Sequence, residues 1–260
     1  LGSVFDIPIL MNRKVTRISF AISFTIVLLM WLVFIMDYTF DLNWYKYGVR
    51  PGEWSGLIGI FTSPFLHSTR DFGHILNNSL PAFILTWLLF YHYRQIATKT
   101  YLLIFFLSGI GTWVLGNPNY HIGMSGVIYG LTSFLVISGF FRKNMRVAAI
   151  SLFVIFIYGS MIWGIFPIKV GVSWEGHLSG LFAGIIAAVI FKQKGPQPKK
   201  MRYEIEEELG IEPELEYWKE DFVPPHKEES LGEHHQPKIV YQFIPKSVTG
   251  KKADKNTKTD

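Results

Sequence analysis

Four side chains combine the types that acyl-transfer chemistry uses: Ser125, His177, His74 and Asn78. Ser125 sits in Gly123-Met124-Ser125-Gly126, where the glycines clear both sides of the hydroxyl and let the preceding loop take backbone angles closed to other residues. An apolar run starts there. At a helix start, unpaired amides and the positive end of the dipole favour a developing negative charge, so this serine suits nucleophilic attack once a base is near. The candidate base is His177, in Gly176-His177-Leu178-Ser179-Gly180-Leu181-Phe182-Ala183-Gly184. Gly176, Gly180 and Gly184 recur every four residues and line one helical stripe, and Gly126 with Gly130 offers a matching pair. Pressing these stripes together could carry a hydroxyl to an imidazole. His74 and Asn78, also four apart, share one face of another helix. Each feature has a plainer reading. Glycine stripes serve packing, a lone intramembrane histidine often bonds a carbonyl, and His74 and Asn78 could bond each other.

The elements that must position these residues are membrane helices. The 260-residue chain is 49% hydrophobic, 16% aromatic and 17% charged, and its apolar residues come in long unbroken runs, which a soluble domain of this size would not have. It has no cysteine, which excludes a disulfide scaffold, a thiolate nucleophile and a cysteine-ligated metal. A hydrocarbon core of about 30 Å needs roughly 20 helical residues. Six segments qualify: Ile18–Met36, Phe72–Tyr91, Tyr101–Leu115, Ser125–Phe141, Val147–Phe166 and Trp174–Phe191. The first reads as a span rather than a cleaved leader. The third and fourth are short, and the second and sixth carry His and Asn, as expected of helices shielded inside a bundle.

Lys and Arg fix the expected orientation. They cluster before span one (Arg13, Lys14, Arg17), after span two (Arg94, Lys99), after span four (Arg142, Lys143, Arg146) and beyond span six (Lys192, Lys194, Lys199, Lys200, Arg202). The opposite side has only Lys46, Arg50, Arg70 and Lys169. Both termini are therefore expected in the cytoplasm. Even-numbered spans then begin at the outer face, which puts His74, Asn78, Ser125 and His177 at similar depth on three helices. Separate bland readings leave that convergence unexplained. The basic ends of the apolar runs suit anionic lipid head groups, and nothing points to nucleic acid. Three regions follow: a cytoplasmic segment 1–17, a six-helix bundle 18–192 and a polar tail 193–260. The outer connection from Asp37 to Asp71, without periodic structure, is expected partly in the lipid interface. The tail reads as largely disordered, with a short helix around Arg202–Leu209 and with His226, His234 and His235 exposed to solvent.

Taken in this order, the motifs resemble the rhomboid family of intramembrane serine proteases. The resemblance covers about Ile18 to Phe191 and rests on Gly123-Met124-Ser125-Gly126, on His177 followed by Gly180 and Gly184, and on His74-Ile75-Leu76-Asn77-Asn78 as a His-x-x-x-Asn pair. It implies an all-α membrane protein, a six-helix rhomboid-like bundle. It also implies Ser125 as nucleophile and His177 as its base, a dyad without an acidic third member. His74, Asn78 and the Ser125 amide would form the oxyanion hole, and Tyr129 would pack against the His177 imidazole. No cofactor or metal is implied, and the partners would be transmembrane protein substrates and the bilayer. Family members usually carry Trp-Arg in the outer loop, whereas Trp54 is followed here by Ser55. That departure puts the contacts of the loop in question. His67 resembles an extra loop histidine and is read as structural, and His121 is assigned no role.

Other classes fit less well. There is no His-Glu-x-x-His helix for zinc. Asp37 and Asp71 sit at span ends, so no aspartate pair lies within the spans. A transporter would show paired intramembrane charges or inverted repeats. A catalytically silent rhomboid-like binder of transmembrane helices stays open as the alternative, although it has no need of the full set Ser125, His177, His74 and Asn78.

Overall fold

In the computed structural model, residues 13–142, 144–168, 171–196, 208 and 210 are described. The chain divides into two units, Leu1–Lys200 and Met201–Asp260, and the fold below belongs to the first. The N-terminal residues 1–12, the tail helix expected over Arg202–Leu209 (Glu208 apart) and the tail histidines lie outside the described residues.

Among the described residues seven α-helices follow in chain order: α1 (Arg13–Phe40), α2 (Gly59–Thr62), α3 (Phe72–His92), α4 (Ala97–Leu115), α5 (Ser125–Phe141), α6 (Met145–Tyr158) and α7 (Trp174–Ile190). A 3-10 helix, Gly159–Ile165, prolongs α6. Among the described residues three stretches are long and apolar enough to cross a bilayer: Arg13–Phe40, Ala97–Leu115 and Met145–Ile165. The other apolar helices, α5 and α7, have 17 residues each, about 26 Å at 1.5 Å per residue.

The third segment is longer than its apolar window. It starts at Ala97 rather than Tyr101 and runs for 19 residues. Thr98-Lys99-Thr100 can continue the helix because only one side of that turn must be buried, and Thr100 takes that side with no exposed surface. α1 likewise extends past its apolar run to Phe40, so Asp37 lies inside the helix, buried, and accepts the Trp44 N–H at 3.0 Å.

Burial follows from how each helix is patterned. α1 buries one stripe, Ser19, Ser23, Met30, Phe34 and Asp37, against α3. Its other faces leave Phe20, Phe24, Leu28 and Leu32 exposed, the side chains that hydrocarbon solvent selects. α5 is central, with nine residues buried, among them Phe134 and Leu135 without exposed surface. α7 packs against both α5 and α4. At Gly180 any Cβ would overlap the Gly126 carbonyl oxygen, and at Gly184 the Gly130 carbonyl oxygen. The α5 and α7 backbones therefore meet more closely than any larger residue would allow. At the far end of both helices Arg142 is buried, its guanidinium donating to the Phe191 carbonyl at 2.7 Å and to the Lys194 carbonyl, 5.3 Å from the Tyr93 ring centroid. A cation there satisfies the carbonyls that a helix C-terminus leaves unpaired.

The outer connection is built turn by turn from 3-10 segments at Trp44–Tyr47, Trp54–Ile58 and Ser63–Phe65 around α2. The Trp54 ring lies 6.0 Å from Trp113, whose indole N–H donates to the Glu53 carbonyl at 2.9 Å. Arg50 pairs with Glu53 at 2.9 Å and donates to the Tyr120 hydroxyl at 3.0 Å. The loop thus has its cation from Arg50, four residues before Trp54, and not from the position after it.

Candidate active site

Ser125 is the first residue of α5, where the amides of the first turn have no partner within the helix. The chain reaches it through Gly123 at φ +112°, a conformation side-chain-bearing residues rarely adopt. A Cβ at Gly123 would also lie 2.6 Å from His74 Nε2 and 3.5 Å from Asn78 Nδ2. Both side chains of α3 therefore crowd over the backbone two residues before the serine. On α7, Ser173 caps the helix by accepting the Gly176 N–H at 3.2 Å, and His177 follows one turn later.

These elements bring Ser125 Oγ to 2.9 Å from His177 Nε2. The other ring nitrogen, Nδ1, lies 2.8 Å from the Gly164 carbonyl oxygen. A carbonyl only accepts, so Nδ1 carries the proton and Nε2 is left to accept from the Ser125 hydroxyl. The Tyr129 ring stacks on the imidazole at 4.2 Å with planes 9° apart, and its hydroxyl donates to the Met161 carbonyl at 2.6 Å. One turn of the 3-10 helix after α6 thus orients both rings. Neither Gly164 nor Met161 was legible in advance, because each contributes a backbone oxygen that no side-chain pattern marks.

Asn78 Nδ2 donates to the His74 carbonyl at 3.0 Å, so the pair does bond within α3, and Asn78 keeps a second N–H for another acceptor. His74 Nδ1 accepts the Ser68 N–H at 3.4 Å, which leaves the proton on Nε2, the nitrogen facing Gly123. His74, Asn78, Ser125, Tyr129 and His177 line one cavity of about 630 Å³. Ser68, Asp71, Tyr120, His121, Gly171 and Ser173 line it too, as do Pro81, Ile128, Tyr158 and Met161. Gly126 and Gly130 on α5 and Gly180 and Gly184 on α7 keep the two helices close below the serine. The arrangement can remove a proton from a hydroxyl beside several N–H donors, in a space roomy enough for water and a peptide segment.

His67, before α3, is buried, and its ring centroid is 5.0 Å from that of His74. Burial pushes it down to about 3, with His74 adding to the effect and the Phe65 carbonyl opposing it, so it is neutral near pH 7. His121, which the sequence left without a role, is buried with both ring nitrogens engaged, by Ser173 Oγ at 2.6 Å and the Asn117 carbonyl at 2.9 Å.

A family model of the Rhomboid domain matches residues 53–194, from the outer loop through α7. The chain belongs to the rhomboid family. Its membership and its apolar helices make it an integral membrane protein. This rhomboid is 35% identical over 175 residues to the Mycobacterium tuberculosis protein named "Uncharacterized protein Rv1337", an alignment covering 64% of this chain and 72% of that one. It is 31% identical over 176 residues to Mycobacterium leprae "Uncharacterized protein ML1171", covering 64% and 68%. It is also 31% identical over 164 residues to the Bacillus subtilis protein named "Putative rhomboid protease YdcA", covering 61% and 76%.

Proposed function

We propose that this rhomboid is an intramembrane serine endopeptidase that cleaves peptide bonds in or near transmembrane segments of other membrane proteins. Ser125 is the nucleophile and His177 its general base. What supports this most is the 2.9 Å contact of Ser125 Oγ with an imidazole nitrogen whose partner nitrogen is tied to a carbonyl. Capture of helices without cleavage would have no use for that bond, and this favours the protease over a silent helix-binding protein.

In the reaction His177 Nε2 takes the hydroxyl proton as Ser125 Oγ bonds to the scissile carbonyl carbon. The imidazolium gives that proton to the leaving amine as the C–N bond breaks, and an acyl-enzyme ester remains. Water then attacks the ester, passing a proton to His177, and the proton returns to Ser125 as the acid leaves. His74 Nε2–H, the second Asn78 N–H and the Ser125 amide stabilise the oxyanion, each such donor lowering the barrier by about 3–4 kcal/mol. Tyr129 holds the imidazole plane. No metal or cofactor takes part.

The topology that goes with this reading has six spans, formed by α1, α3, α4, α5, α6 with its 3-10 extension, and α7. Both termini are cytoplasmic, so α3, α5 and α7 open at the outer face and the cavity is reached from outside. The Lys and Arg distribution supports that orientation, and the mycobacterial and Bacillus relatives support a bacterial inner membrane. Small or helix-breaking residues in a substrate make its backbone cheaper to free from helical hydrogen bonds, so such segments are preferred.

The test is cleavage of a transmembrane substrate in liposomes. Wild type produces fragments and Ser125→Ala produces none, with the same circular dichroism and melting. Fragments from the alanine variant at the wild-type rate would remove Ser125 as nucleophile.

A further inference from the structure

One turn of α7 before His177, and four residues before Ser125, a second serine and a second histidine meet. Ser173 Oγ lies 2.6 Å from His121 Nδ1, and His121 Nε2 lies 2.9 Å from the Asn117 carbonyl oxygen. The carbonyl can only accept, so Nε2 carries the proton, and Nδ1 accepts the Ser173 O–H. Ser173 still has a lone pair for the Gly176 N–H, which it accepts at 3.2 Å. Next along the same loop, the Asn117 side-chain amide donates to Glu175, a carboxylate buried in the first turn of α7. The contacts form a ladder between the loop entering α5 and the start of α7: Asn117 to Glu175, Ser173 to His121, and then Ser125 to His177.

The loop side of this ladder is itself anchored. The His121 backbone exchanges both hydrogen bonds with Val49 of the outer connection, at 2.9 and 2.8 Å, and the residue is 9% exposed. His121 therefore joins three segments, the outer connection, the loop that delivers Ser125 and the turn that delivers His177. The glycine contacts hold α5 and α7 together on the other side of the dyad. Without the His121–Ser173 rung, the loop would be tied to the first turn of α7 above the dyad through the Asn117–Glu175 contact, one rung further from Ser125 and His177.

We propose that the His121–Ser173 hydrogen bond is a positioning clamp that sets the distance from Ser125 to His177, with His121 and Ser173 as positioning residues that need not touch substrate. The proposal rests on the catalytic roles given above to Ser125 and His177.

The experiment measures the rate at which a fluorophosphonate probe labels Ser125 at saturating probe, in purified full-length protein, beside the thermal melt of each variant. His121→Ala and Ser173→Ala each slow the maximal labelling rate about 10- to 100-fold, the cost expected of a misplaced base, with little change in the half-saturating probe concentration. His121→Asn, whose Oδ1 can stand where Nδ1 stood, and Ser173→Thr recover most of the rate. His121→Gln, whose amide reaches the Nε2 position beside the Asn117 carbonyl and leaves the Nδ1 position empty, does not. The double alanine variant loses less than the product of the two single losses, because the singles share the His121–Ser173 bond, while His121→Ala alone also drops the Asn117 contact and Ser173→Ala alone the Gly176 cap. If His121→Ala does not fold, His121→Asn against His121→Gln decides the matter, since both keep the Ser173 cap on Gly176 and differ in what they offer the Ser173 hydroxyl, and equal rates in the two would overturn the clamp. Wild-type labelling rates in Ser173→Ala, or a His121→Asn variant as slow as a folded His121→Ala, would overturn the clamp. Absence of labelling in wild type would instead overturn the catalytic reading.

Discussion

Replacing Gly123 by alanine tests the site through the backbone. At φ +112° an alanine costs on the order of 1–3 kcal/mol in strain. Its methyl carbon would also start 2.6 Å from His74 Nε2, where ordinary contact begins at 3.4 Å. The imidazole must therefore retreat by about 0.8 Å, or swing aside. A donor displaced that far from a developing oxyanion is nearly a lost donor, and losing one costs about 10²- to 10³-fold in kcat. Ground-state binding of the substrate helix involves the cavity as a whole, so KM should move little. The assay is steady-state cleavage of a reconstituted transmembrane substrate, with a thermal melt of the same preparation. The expected outcome is a melt lowered by the strain and a kcat reduced at least about 100-fold. A folded Gly123→Ala enzyme with wild-type kcat would refute the argument that His74 Nε2 serves the reaction from its place over Gly123.

Three further outcomes follow from the same geometry. Tyr129→Phe keeps the ring stacked on His177 and loses only the bond to Met161, so kcat should fall less than about tenfold, whereas Tyr129→Leu, which loses the stack at 4.2 Å, should fall further; equal losses in the two variants would count against the stacking role. Arg142→Leu removes two charge-assisted bonds to carbonyls at the end of α7, each worth about 1.5–3 kcal/mol, and should lower the melting temperature while folded molecules still label at Ser125; an unchanged melt would contradict the capping role. For His67 the folded value lies below the ordinary 6.5, so the stability it contributes is whole above about 6.5 and is lost as pH falls towards about 3. The melt should drop with a slope of up to about 1.4 kcal/mol per pH unit across that window, and His67→Gln should flatten it; a slope unchanged in the variant would contradict the assignment.

Much of the scaffold could be read from residue types. Uninterrupted apolar runs located the long helices, and α5 begins and ends where its run does, at Ser125 and Phe141. Where a run is bounded by a polar turn the helix goes further than the apolar residues, because one buried on a single side can carry Thr98 and Lys99 without ending, as α4 does. The glycines repeating every four residues pointed to a close helix pair, and Gly126 and Gly180 form its contact. At the site, position along the spans predicts a shared depth for His74, Asn78, Ser125 and His177, and all four line the same cavity. What escaped was carried by backbone atoms or by loops. The Gly164 and Met161 carbonyls have no side-chain signature. His121 lies in a loop, where no periodicity tells which way a ring points, although Ser173, just ahead of Trp174 and Glu175, has the form of a helix cap.

The most direct measurement is where a serine-reactive probe attaches. Purified wild-type protein in lipid, treated with a fluorophosphonate and digested for peptide mass spectrometry, should carry one phosphonyl adduct on Ser125. The adduct should vanish in Ser125→Ala and become very slow in His177→Ala. An adduct on another serine, or equal labelling of Ser125 with and without His177, would contradict the account.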